Sequence, residues 1–198
     1  MHKRKEFVIT SVYKQQLKDW VAQLDVKAEK VIDIGGSQDP IKGRTRSWEV
    51  KHYLIADLAD PHINNQSADI LLNLDSDDVN ILNIGKCDSL FCLEVFDYIR
   101  NPIQAFDNLA CLLRKGGEAW VTFPFIYPHH NPIADEGLRY TEPAIRYYGD
   151  KFKMPVQEII YRKPNSPKLL QYYAEDGFRS APNYNHNVIG YIVRFKKL

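Results

Sequence analysis

The chain has 198 residues, enough for one domain built on one hydrophobic core. Its 26 basic and 25 acidic residues nearly cancel, which argues against nucleic acid or an anionic membrane surface as a partner. No apolar run approaches the roughly 20 residues that span a bilayer, and the basic start "MHKRKEF" has no apolar stretch behind it, so no signal peptide is expected. Cys87, Cys92 and Cys111 are odd in number, lie in apolar surroundings and lack CxxC or zinc-type spacing. They read as reduced thiols of a cytoplasmic protein, with neither disulfide nor metal.

In chain order, Val12, Leu17, Trp20, Val21 and Leu24 recur at helical spacing, predicting an amphipathic helix over Ser11 to Leu24 with Ser11 as N-cap. "KVIDI" then reads as a strand followed by a turn and a short helix, and "HYLIADL" as a strand followed by a loop. "ADILLNL" precedes a short segment around Val79 to Ile84, and "DSLFCLEV" leads into a helix from Pro102 to Leu113. "RKGG" predicts a glycine C-cap for that helix, and "EAWVTFPF" reads as a further buried strand stopped by Pro124. Strands apolar almost throughout suit the inner positions of a parallel sheet with helices on both faces. "PVQEIIYRK" and "NVIGYIVRFKK" suggest two more strands that pair antiparallel at the sheet edge. One domain is expected over 1–198, divided into an N-terminal helical extension (1–27), a ligand-binding core (28–125) and a segment of loop, helix and strands (126–198).

Right-handed crossovers bring all parallel strand C-termini to one edge, where open α/β sheets bind ligands. In "VIDIGGSQDP" the first strand reaches that edge, and Gly35 and Gly36 let a ligand approach bare backbone. Asp57 ends the next strand, where an acid accepts hydrogen bonds from ribose hydroxyls. A dinucleotide suits the loop poorly. Ser37 and Pro40 stand where glycines would fall, Pro40 lacks an N–H for pyrophosphate, and Asp33 and Asp39 repel it. A phosphate-free ligand with a cationic end, such as S-adenosylmethionine, fits better. An ordinary strand-to-helix turn remains the alternative for the loop taken alone.

Taken together from Lys30 to Thr141, these segments resemble the class I S-adenosylmethionine-dependent methyltransferases, more narrowly the small type 11/12-like domains. "VIDIGGSQDP" matches the glycine loop, "YLIADL" the ribose-binding acid and "ADILLNL" the adenine-side segment. "CDSLFCLEVFDYIRNPIQAFDNLACLLRKGGEAWVTFPF" matches the block from the fourth to the fifth strand. The resemblance implies a Rossmann-like, doubly wound, mostly parallel seven-stranded sheet with an antiparallel edge strand, and S-adenosylmethionine as cofactor. It implies that Asp33 receives the methionine ammonium, with Gly35, Gly36 and Ser37 near the amino-acid end. Asp57 would hold the ribose, Leu58 would pack beside adenine, and Asn73 or its rival Asp75 would meet the adenine amino group. Cys92 and Leu93 would line the sulfonium side, core packing being the equal alternative for Cys92. The sequence departs from the family where "E-H" of the fourth block becomes Asp97-Tyr98.

Beyond the fifth strand, "FPFIYPHHNPIADEGLRYTEPAI" resembles the family's acceptor-side loop. His129 and His130 are the candidate bases there, since histidine titrates near neutrality. Glu94, Tyr127, Arg139 and Tyr140 are candidate substrate contacts. Arg139 has a second reading, clamped by Glu136 or Asp135, and Thr141 reads as an N-cap with Pro143 in the first turn. In-line displacement on a sulfonium can run on positioning alone, so a base is not required. The expected function is methyl transfer to oxygen or nitrogen of a small-molecule or glycan-type acceptor. An inactive binding or assembly module is the alternative, and it predicts large side chains filling the space above Gly35. A nicotinamide-dependent reductase is disfavoured by Pro40. The tyrosine-rich C-terminal part suits stacking, packing or an oligomer interface equally.

Overall fold

The computed structural model describes residues 12–61, 66–77, 84–127, 137–164 and 188–198. Seven strands form one sheet: β1 (Asp25–Ile34), β2 (Ser47–Asp57), β3 (Ile70–Leu71), β4 (Cys87–Cys92), β5 (Leu113–Pro124), β6 (Val156–Arg162) and β7 (Gly190–Lys196). Their order is β3-β2-β1-β4-β5-β7-β6. The β1–β2, β1–β4, β2–β3 and β4–β5 pairs are parallel. β7 runs antiparallel between β5 and the edge strand β6, which is the expected doubly wound sheet with its reversed C-terminal pair.

Three described helices cover the sheet: α1 (Val12–Val21), α2 (Pro102–Leu112) and α3 (Glu142–Lys151). Alternation along each strand separates two cores. Val31, Phe91 and Ile192 join Leu17 and Val21 of α1 on one face. Ile32, Leu90 and Val193 join Phe106 and Leu109 of α2 and Ile145 of α3 on the other. The second core is aromatic at its centre: Phe96 lies 4.7 Å from Phe123, and Phe106 stacks with Tyr148 at 5.2 Å. That core fixes the turn that follows β4.

Three local expectations are corrected. The glycine loop does not lead into a helix; residues 35–46 are turns. Pro40 offers no N–H, and Ile41 drops into the core with its N–H donated to Asp33 at 2.7 Å instead of to a helical carbonyl. Second, α2 has no glycine C-cap. Leu113 is already extended, and the chain passes straight into β5. Gly116 (φ +78) instead turns the chain between Leu113, which pairs with Cys87, and Glu118, which pairs with Ser89. Third, β1 begins at Asp25 and β2 at Ser47, earlier than the apolar runs suggest. Those early halves carry charge on one face, held by Lys27–Glu49 and Lys51–Glu29 ion pairs between the strands. The expected segment around residues 79–83 and the Ser11 cap lie outside the described residues.

The three thiols are free, with Cys87 and Cys92 buried. No helix among the described residues is long and apolar enough to cross a membrane.

Candidate functional site

The C-terminal edge of the parallel strands carries two adjacent regions. The first is the loop leaving β1. Gly35 has φ +77, and a Cβ on it would stand 2.4 Å from Val95 Cγ2. A Cβ on Gly36 would stand 2.7 Å from the Asp33 carboxylate. Both glycines are therefore required by close approach, and Gly35 also by its backbone angle.

Asp33 lies beneath this loop, 3 % exposed, with Oδ2 accepting from the Ile41 N–H at 2.7 Å and the Tyr53 hydroxyl at 2.6 Å. Burial pushes its carboxyl up to about 6, against the opposing pull of those two bonds. Asp33 thus braces the loop from below. Ser37 is buried, and its N–H donates to Asp57 Oδ2 at 3.1 Å. Among the described residues its Oγ has no hydrogen-bond partner.

Asp57 also accepts from the Leu58 N–H at 2.8 Å. Each carboxylate oxygen can accept two hydrogen bonds, so acceptor capacity remains for hydroxyl groups. Leu58 is 47 % exposed, leaving an apolar surface beside that carboxylate. Asn73 is exposed, and its Oδ1 accepts from the Asp75 N–H at 2.9 Å. Asp75 itself accepts from the N–H groups of Arg100 and Asn101, placing a negative charge at the start of α2. Cys92 is fully buried, its thiol pushed up by burial first and by the Asp33 and Asp57 charges second. Leu93 is half-buried against the core on the α1 side.

The second region follows β4. Glu94 holds φ +59, a left-handed conformation uncommon for a residue with a Cβ. Its N–H donates to Thr122 Oγ1 at 2.6 Å, and its carboxylate pairs with Arg162 Nη1 at 2.6 Å. Arg162, at the end of β6, is 1 % exposed; it donates to the Tyr13 carbonyl at 2.6 Å and stacks on the Tyr13 ring at 3.1 Å. The Tyr13 ring also lies 4.7 Å from that of Tyr127. Asp97 completes the group at 2 % exposure, with burial first and the Glu94 charge second pushing its carboxyl up to about 7. α1, the turn after β4 and the ends of β5 and β6 thus converge on one set of charges.

Among the other candidates, Tyr140 is buried against Phe96 and Phe123, at 5.6 and 5.2 Å between rings. Arg139 donates to the Leu138 carbonyl and is one of the charges that lower Asp97. Thr141 caps α3 as expected, accepting from the Ala144 N–H, with Pro143 in the first turn. His129, His130 and the acids Asp135 and Glu136 lie outside the described residues. Sequence reasoning missed Tyr13, Asp97 and Arg162 as site residues. The one available signal was position, since Asp97 falls where the resemblance has an acid and Arg162 ends an apolar strand.

A cavity of about 250 Å3 between Leu24, Val26, Asp88, Arg114 and Trp120 lies at the opposite sheet edge. Its charged lining is ion-paired within the chain, as in Arg114–Asp88 and Lys27–Glu49.

No protein-family model matches the chain, and no curated protein matches it significantly. Solved structures do match. The N-methyltransferase NodS from Bradyrhizobium japonicum WM9, in complex with S-adenosyl-L-homocysteine, aligns at TM-score 0.61 and 11% identity over 99% of this chain and 93% of that one. An S-adenosylmethionine-dependent methyltransferase from Mesorhizobium loti aligns at TM-score 0.55 and 10% identity over 93% and 98%. An O-methyltransferase family protein from Burkholderia thailandensis aligns at TM-score 0.57 and 14% identity over 93% of this chain and 56% of that one. At these identities the likeness establishes the fold, that of the class I methyltransferases.

Proposed function

We propose that the chain is an S-adenosylmethionine-dependent methyltransferase that transfers a methyl group to oxygen or nitrogen of a small-molecule or glycan-type acceptor. The observation that carries this reading is the Asp57 carboxylate, with acceptor capacity to spare beside the tight Gly35-Gly36 turn, at the strand-end edge of a sheet ordered β3-β2-β1-β4-β5-β7-β6. The residues fit the cofactor on their own chemistry. Asp57 retains acceptor capacity for ribose hydroxyls, Leu58 offers an apolar surface for a base, and Ser37 Oγ is a buried hydroxyl with no partner among the described residues. Asn73 and Asp75 lie next along the edge for an amino group. Asp33 acts from beneath, holding the loop in shape through Ile41 and Tyr53.

When bound, the cofactor would be held by Asp57, Leu58 and the Gly35-Gly36 loop and would supply a methyl group activated on a sulfonium. The chain's own task is then to hold the acceptor in line with that methyl and to exclude water. Glu94 and Tyr127 belong to the neighbouring region that would do so.

Isothermal titration with S-adenosyl-L-homocysteine tests the reading. Micromolar binding is expected, and Asp57→Ala should weaken it about a hundred-fold through loss of two charge-assisted hydrogen bonds. Absence of binding at high micromolar ligand rejects the enzyme. A second reading has its own observation in Val95, whose methyl group fills the space over Gly35. That contact is what a closed loop in a non-catalytic methyltransferase-like module would show, and the same titration separates the two.

A further inference from the structure

We propose that Tyr53 is a positioning residue for the ligand loop: its hydroxyl holds the buried Asp33 carboxylate as an anion, and that anion ties the loop down where a helix would otherwise start. The proposal deepens the methyltransferase reading, as a control on the same loop, and rests on it. The loop needs a tie because its N–H groups have no helix to enter. Ile41 donates to Asp33 Oδ2 at 2.7 Å. A backbone hydrogen bond from Lys42 reaches the Tyr53 oxygen, whose own proton goes to the same Oδ2 at 2.6 Å. Two successive N–H groups therefore end on one carboxylate oxygen, the first directly and the second through Tyr53. The Lys42 ammonium also lies 5.8 Å from the centre of the Tyr53 ring. At the other end of the loop the Ser37 N–H donates to Asp57 Oδ2 at 3.1 Å, so the tie also steadies the carboxylate that would meet the ribose.

Tyr53 stands on β2, outside the loop it holds. Its ring meets that of Trp48 edge-on, 5.4 Å between centroids, and packs against the core on the α1 side that also contains Ile41. The ring is thus anchored by packing, and Tyr53→Phe removes only the hydroxyl that reaches Asp33.

The groups that face Asp33 are Tyr53 from β2, Cys92 from β4, and Arg44 and Asp39 from the loop itself. Arg44 is committed within the loop, to Asp39 Oδ2 at 2.7 Å and to the Pro40 carbonyl at 2.8 Å. Burial pushes the Asp33 carboxyl up to about 6, and the Tyr53 bond is the foremost of the interactions that hold it down. The sign of the pH dependence follows. Well below pH 6 the carboxyl is protonated with or without the Tyr53 hydroxyl, and losing that hydroxyl costs one neutral hydrogen bond. At pH 8 the carboxylate is ionised, and the lost bond is charge-assisted and about twice as strong. The anion then gains more by escaping into water, and the loop loosens.

The test compares the full chain with its Tyr53→Phe variant by titration with S-adenosyl-L-homocysteine at pH 5 and pH 8. The ratio of the two affinities at each pH cancels the titration of the ligand and of Asp97, which both proteins share. Tyr53→Phe should weaken binding about ten-fold at pH 8 and about two-fold or less at pH 5. In an Asp33→Asn background, which has no carboxylate to hold, its effect should be the same at both. A loss equal at the two pH values in the parent background means that Tyr53 only packs, and no loss at pH 8 removes the tie; either result overturns the proposal. Should Asp33→Asn fail to fold, the comparison of parent with Tyr53→Phe still decides. Melting temperatures of the unliganded proteins carry the same comparison: Tyr53→Phe should lower them by about 5 °C at pH 8 and by about 2 °C or less at pH 5. Failure of S-adenosyl-L-homocysteine to bind rejects the methyltransferase reading alone, and the melting comparison then decides whether Tyr53 holds Asp33.

Discussion

The loop after β1 and the turn after β4 stand side by side at one sheet edge and are held by opposite means. The β1 loop is held by shape. Its glycines leave room for Val95 and for the Asp33 carboxylate, and its polar groups pair mostly with nearby backbone N–H groups. The turn after β4 is held by charge, with Glu94 and Asp97 gathered around a guanidinium that arrives from β6. A tight loop shaped by its own packing suits a ligand common to many proteins. A charged cluster assembled from several elements suits discrimination among acceptors, because a wrong partner leaves a buried charge unpaired.

The largest expected effect follows from breaking the charged side at its centre. Arg162→Met keeps the volume of the side chain but leaves Glu94 without its partner, and should destabilise the fold by about 3–5 kcal/mol. Urea unfolding measures it. Adding Glu94→Gln to Arg162→Met should recover part of that loss, because the second change removes the orphaned charge. If Arg162→Met costs under 1 kcal/mol, the region is held by packing and the contrast between the two regions fails.

That contrast also explains what the sequence made legible. The β1 loop is contiguous, so "VIDIGGSQDP" and the strand ending at Asp57 could be read as one motif and placed at one edge. The sheet was legible for the same reason, since each apolar run is a local signal. The helix expected after the loop was not, because the Asp33 bond to the Ile41 N–H is a contact eight positions away that competes with helical pairing. The early halves of β1 and β2 were missed because their stability comes from charged pairs between strands, such as Lys27–Glu49, instead of an apolar run. The charged cluster was legible only in part: Glu94 and Tyr127 could be named as candidate contacts, but nothing joined them to Tyr13 and Arg162. Tyr13, Glu94, Asp97, Tyr127 and Arg162 are strung across the chain and share no spacing.

The next effect is the dependence of stability on pH. An unfolded Asp97 releases its proton near pH 4, whereas the folded protein holds it up to about 7. Between those values the folded state binds the extra proton, so stability falls as pH rises through that window. At pH 8 ionising the buried group therefore costs stability. Asp97→Asn keeps the shape and removes the titration. It should therefore raise the melting temperature at pH 8, change it little at pH 4, and flatten the profile between them. A variant less stable than the parent at pH 8 would mean that Asp97 is ionised and needed as Arg162's partner.

The smallest effect tests the shaped side, where two separate reasons for one glycine can be measured apart. Gly35→Ala should cost about 2–3 kcal/mol in urea unfolding. About 1–2 kcal/mol of that is the left-handed backbone angle that an L-residue resists, and the remainder is the clash of the new methyl with Val95. Made in a Val95→Ala background, the same change should cost only the backbone part, since the methyl it would strike is gone. The Val95→Ala background also removes the side chain packed over Gly35. If Val95 closes the loop against ligand, Val95→Ala should tighten S-adenosyl-L-homocysteine binding; if Val95 only buttresses a loop already shaped for it, affinity should stay within about two-fold. An unchanged affinity together with a reduced Gly35→Ala cost would confine Val95 to packing and leave Gly35 as a residue required by shape alone.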